Sequence, residues 1–243
     1  MSQHDDVYLS AIPSARTGVR VWDLPTRLFK SSLAGSVITA WLSTYLDDPA
    51  MNVHKFAGYT ILTLVLFRVF WGFVGGTSAR FSAFVRSPAR AIEYLRALRA
   101  GRARPYLGHN PAGGLMIMAL LLACGAQAAL GLFASDGVLA SGPFADMVGD
   151  QASGWAARLH SFWAYAILGL VVVHVAVNLF YQFVKGENLI GAMITGRKRP
   201  AHYQDADEAE PGSPLMAALC LFLAGAIVYL VVAASGSSWF TAT

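Results

Sequence analysis

Apolar and polar positions fall in long blocks along this chain. Apolar runs cover about 29–46, 52–74, 111–133, 159–184 and 215–235. Each approaches the ~20 residues that carry a helix across the hydrocarbon core of a bilayer. Between residues 88 and 100, PARAIEYLRALRA places Ile92, Leu95 and Leu98 at helical spacing against arginines. That pattern predicts an amphipathic helix lying on the membrane surface. The blocks therefore predict an all-α integral membrane protein. A polar N-terminal segment (1–21) precedes the main domain (22–195), and a polar linker (196–214) leads to a fifth transmembrane helix.

Composition agrees with the blocks. The 243 residues are 56% hydrophobic and 13% charged, with a mean hydropathy of +0.50. Soluble domains carry about 25% charged residues. The first 20 residues hold no signal-peptide h-region. Cys124 and Cys220 each sit inside an apolar run, outside any CxxC or CxxCH pattern. They read as small buried residues, with no disulfide, zinc site or covalent haem attachment expected.

The net charge of +4 marks topology rather than nucleic-acid binding. Lys and Arg gather in the N-terminal segment, in 77–108 and in 185–199, whereas 47–50 and 134–157 are acidic. The positive-inside rule then places the N-terminus in the cytoplasm of a bacterial inner membrane, with the acidic loops and the C-terminus on the periplasmic side. Trp41, Trp71, Trp155 and Trp239 fall near expected span ends, where interfacial belts form.

The fourth run holds the candidate chemistry. His160 and His174 stand fourteen residues apart, which on a helix is roughly 40° short of four full turns and about 21 Å of rise. One helix thus offers two imidazoles on nearly one face, as two stacked haems need. His54, at the outer end of the second run, matches His160 in depth, and facing bundle helices hold cofactors in this way. At the depth of His174 the first run offers Lys30, as a deprotonated amine ligand or a snorkelling anchor. His109, in YLGHNPAGG, is a rival ligand or a residue of a helix cap. Arg68 repeats the fourteen-residue spacing from His54 and is placed to pair with a haem propionate or to snorkel. Gly58 and Gly169 would leave room for a flat macrocycle.

RVWDLPTRLF before the first span, HKFAGY opening the second, GHNPAGG opening the third and LHSFWAYAILGLVVVH in the fourth resemble the bacterial cytochrome b561 family. That family includes the b-type cytochrome subunits of nickel–iron hydrogenases. The resemblance, over roughly residues 20–195, implies a four-helix haem-binding transmembrane bundle with two b-type haems, beyond which the fifth helix lies. It implies that His54 and His160 hold the outer haem and that His174 serves the inner one. It also implies electron transfer between a periplasmic redox partner and quinone. RLF is usually followed in the family by His-Trp, where this chain has Lys30-Ser31, so the inner haem is expected to have altered ligation by Lys30 or His109, to be five-coordinate, or to be absent.

The reading is a membrane-embedded haem b electron carrier. Its partners are a periplasmic c-type cytochrome or a dehydrogenase or hydrogenase subunit, quinone and the lipid bilayer, with a homo-oligomer also compatible. A stand-alone quinone-coupled oxidoreductase such as a superoxide oxidase is the enzymatic alternative. A membrane anchor or transporter is the non-redox one.

Overall fold

Four of the helices begin where a capping side chain and a proline coincide. The computed structural model describes residues 18–46, 49–137 and 140–236. In chain order they form β1 (Val19–Arg20), α1 (Leu24–Ser43), α2 (Pro49–Val74), a 3-10 turn (Thr77–Ala79) and α3 (Phe81–Phe84). Then follow α4 (Pro88–Arg99), α5 (Pro111–Phe133), α6 (Ala145–Phe183), α7 (Leu189–Thr195), β2 (Arg197–Lys198) and α8 (Pro214–Ala234). Asp23, Ser87, Asn110 and Ser213 accept hydrogen bonds from the exposed amides of α1, α4, α5 and α8, and each of those helices has proline at its first or second position. The cap satisfies an orphan donor, while proline has none to lose and arrives with its φ already set.

Among the described residues, four helical segments are long and apolar enough to cross a membrane: Met51–Val74, Pro111–Phe133, Ala145–Phe183 and Pro214–Ala234. The first of the five expected spans falls short of that standard. Its helix, α1, runs Leu24–Ser43 rather than 29–46 and carries Arg27 and Lys30 in its first two turns. The fourth apolar run is the later part of a longer helix. α6 starts at Ala145 and bends at Gly149 (φ 77°), so much of the expected 134–157 loop is helical. Apolar runs register membrane immersion, and Asp150, Gln151 and Ser153 lengthen a helix without adding to that signal.

α1 packs along α2 and α5 along α6; α2 also meets α5 and, on another side, α8. Phe29, Ile61, Val65, Leu121 and Cys124 fill the middle of this core, and Ala217, Cys220 and Ala224 press α8 against it. Small residues let membrane helices approach closely. Both cysteines are free and buried. Trp71 is fully buried and donates to Thr26 Oγ1 at 3.2 Å, so it is a core residue rather than part of an interfacial belt. α4 rests on α5, burying Ala91 and Tyr94 and leaving Ile92 and Leu95 exposed.

The end of the bundle bearing His54 and His160 is called outer here, and the end bearing Lys30 inner. At the inner end β1 pairs antiparallel with β2, and Val21 and Trp22 both donate to Gly196 O at 2.8 and 3.1 Å. The polar linker is a strap pinned across this end. Gln204 N donates to Pro105 O and Ala209 N to Arg20 O, both at 3.0 Å. Asp205 accepts from Leu107 and Gly108, and Asp23 accepts from Gly212. Beneath it Val21, Trp22, Leu107, Ala192 and Ala209 form a second small apolar cluster. Asp47, Asp48, Trp239, most of the N-terminal segment and the chain's last residues lie outside the described residues.

Candidate functional site

His54 lies near the start of α2 and His160 in the middle of α6, and the fold brings their rings to 5.9 Å between centroids at an interplanar angle of 74°. Neither imidazole is held by its own helix. His54 Nδ1 donates to Ala40 O, in the last turn of α1, at 2.8 Å, with Ser43 Oγ 3.3 Å away. The carbonyls in a helix's last turn lack helical partners and are open to such a donor. His160 Nδ1 donates to Gln127 O of α5 at 3.0 Å. A carbonyl only accepts, so each Nδ1 carries the proton and each Nε2 keeps its lone pair. Such a tie fixes the tautomer and raises the basicity of the ligating nitrogen.

His54 and His160 are the residues that would hold a haem iron here, each through its free Nε2. Around the pair lies a cavity of about 480 Å³, lined by α1, α2, α5, α6 and residues 134–136 and 140–143. Cofactor pockets span about 300–1,000 Å³. Gly58 lines it with nothing within 4 Å of where a Cβ would stand, and a Cβ on Gly131 would come to 3.0 Å from His160 Cε1. Trp41 and Tyr165 meet edge to face at 5.8 Å as one wall. Lys55, Ser135 and Ser141 add polar lining. These features meet what a haem asks of its socket. Gly169, the other expected glycine, lies on the exposed side of α6, away from this lining.

The inner end is built differently. Lys30 Nζ sits 3.8 Å over the Trp22 ring and donates to Met193 Sδ at 3.2 Å. His109 is wedged between Trp22 and Phe84, at 4.7 and 5.1 Å between centroids. Burial, and after it the charges of Lys30, Arg68, Lys198 and His174, hold the His109 imidazole well below its ordinary range. Arg68 is buried over Phe81 and Phe84 and donates to Ala79 O at 2.9 Å, while its Nη1 and His109 Nδ1 have no hydrogen-bond partner among the described residues. The Asn178 amide donates to His174 O at 2.7 Å and stands 3.3 Å from His174 Nε2. Among the described residues, no hydrogen bond or ring contact joins His174 to Lys30 or His109. The Lys30 amine and the His109 ring thus make their hydrogen-bond and ring contacts with groups other than His174.

Sequence reasoning missed Ala40, Ser43 and Gln127 at the outer end and Trp22 and Met193 at the inner end. The first and third act through backbone carbonyls, which every residue type shares. A family model of prokaryotic cytochrome b561 matches residues 21–196. The chain belongs to this family. It is also 26% identical over 215 residues to the probable Ni/Fe-hydrogenase B-type cytochrome subunit of Azotobacter vinelandii, a match covering 74% of this chain and 88% of that protein. No solved structure matches. As a prokaryotic cytochrome b561 the protein is a multi-pass membrane b-type cytochrome that binds haem b and serves in electron transfer. The matched region ends at Gly196, before the strap and α8.

Proposed function

We propose that this cytochrome b561 is the membrane subunit through which a periplasmic redox protein exchanges electrons with quinone, using a haem held between His54 and His160. The observation that carries the reading is the pair of facing imidazoles with both Nδ1 atoms tied to backbone carbonyls. The partner best supported is a hydrogenase- or dehydrogenase-type subunit, because the Azotobacter relative bears a hydrogenase name. A c-type cytochrome would serve the same chemistry. In this reading α1 is a further span, the protein lies in a bacterial inner membrane, and the His54 end faces the periplasm, since the arginine-rich 77–108 and 185–199 segments gather at the other end.

Bound there, the haem supplies a one-electron carrier. The chain does the rest. His54 and His160 place their Nε2 lone pairs toward one point, and the Ala40 and Gln127 carbonyls keep the rings from turning. Gly58 and Gly131 leave the volume, Trp41 and Tyr165 wall it, and Lys55 offers a cation to the carboxylates of the group.

Replacing His54 or His160 by alanine tests the assignment. Each variant, purified in detergent, is expected to lose nearly all the haem of this site, read as Soret absorbance and pyridine haemochrome per chain. Full haem retention in both variants would sink it.

A further inference from the structure

We infer that this chain carries a single haem b, at the outer level, and that its inner level is a haem-free polar core closed by the chain itself. The inference rests on the outer assignment above and concerns what lies about 21 Å further along α6. The two levels differ in which histidine nitrogen is engaged. At the outer level Nδ1 is tied and Nε2 is open on both rings. On His174, Nε2 is the nitrogen that meets a side-chain amide, that of Asn178 one turn on.

The two inner candidates for a second ligand are engaged elsewhere. To reach a metal beside His174, the Lys30 amine would have to leave both the Trp22 ring and the Met193 sulfur. The His109 ring is sandwiched by Trp22 and Phe84. Trp22, which contacts both the Lys30 amine and the His109 ring, is fixed from several directions. Its amide donates to Gly196 O, Ala192 and Leu107 pack in its cluster, and the strap lies over that cluster through Ala209. Residues 18–23, 105–110 and 188–213 thus pack together around Trp22, Lys30 and His109 at the inner end.

The two unpartnered nitrogens, Arg68 Nη1 and His109 Nδ1, are the feature most open to another explanation. Both groups flank Phe84. Ordered waters, which make two to four hydrogen bonds at buried polar sites, would be able to satisfy them. Buried arginines ordinarily need such partners, and a porphyrin is not required to supply them. With one haem, electrons enter and leave through the outer half of the membrane.

The test uses the full chain purified with its native haem. Haemochrome against amino-acid analysis is expected to give about one haem per chain, and a redox titration one single-electron wave. His174→Ala and Lys30→Ala are expected to keep the wild-type haem content and spectrum. A wild-type ratio near two, or loss of half the haem in His174→Ala, overturns the inference. Should His174→Ala fail to fold, the wild-type ratio alone decides. A ratio of two in which His54→Ala loses one haem would leave the outer assignment standing; full retention in His54→Ala and His160→Ala would remove it.

Discussion

The two ends of the bundle solve opposite problems with similar residue types. At the outer end, two facing histidines each have Nδ1 tied to a carbonyl of a neighbouring helix and line one open cavity. At the inner end, a lysine, an arginine and two histidines gather against aromatic rings, a thioether, a side-chain amide and a backbone carbonyl. The nitrogens left there without a hydrogen bond among the described residues, Arg68 Nη1 and His109 Nδ1, sit against Phe84 rather than facing each other across a cavity. The difference teaches that a ligand site is defined less by the presence of imidazoles than by which of their atoms remain unengaged. Glycine makes the same point. Gly58 opens the outer cavity, whereas Gly212 and Gly76 let the strap and the end of α2 close to within van der Waals contact.

The sharpest way to break this comparison is to fill the outer end. Gly131→Val would press a branched side chain onto His160 and is expected to lower haem per chain several-fold, while Gly169→Val on the exposed side leaves it unchanged. Equal haem in both variants would show that His160 is not held as described. Next in size, Asp23→Ala removes both the α1 cap and the strap anchor. It should cost about 1–2 kcal/mol in unfolding free energy, with the spectrum of the folded fraction unchanged, since the loss is confined to the inner end.

A smaller effect is expected from pH. His109 is held neutral, with its folded pKa below the unfolded value of about 6.5. The unfolded state therefore binds more protons as acid is added. The stability that neutral His109 contributes is present above pH 6.5 and is lost as pH falls toward its depressed folded pKa. The melting temperature should drop between pH 7 and 5, and His109→Phe should flatten that slope. The smallest change concerns the surface. The exposed Arg90–Glu93 pair at 3.1 Å is worth at most about 0.5 kcal/mol, so Arg90→Ala should leave the melting curve in place.

The apolar runs were legible because membrane immersion demands long uninterrupted stretches, and the depth match of His54 with His160 followed from counting along them. What stayed hidden depends on atoms that carry no residue identity. Nothing in the letters at 40 or 127 says that their carbonyls accept from histidines on other helices. The acidic run around Asp205 reads as a linker because its anchors are amides at 107 and 108, a hundred residues away. Trp22 and Met193 escaped notice for a related reason. Met193 stands 163 residues from Lys30 along the chain, and the Trp22 ring contact leaves no mark in the spacing.

The carbonyl ties have one more consequence. His54 is secured by α1, the helix just before its own, and His160 by α5, the helix just before its own. Each half of the socket is therefore complete within one helical hairpin. Because chains emerge N-terminus first, the first half-socket can form before the second has been made. A haem bound between them would act as a rivet joining the two hairpins.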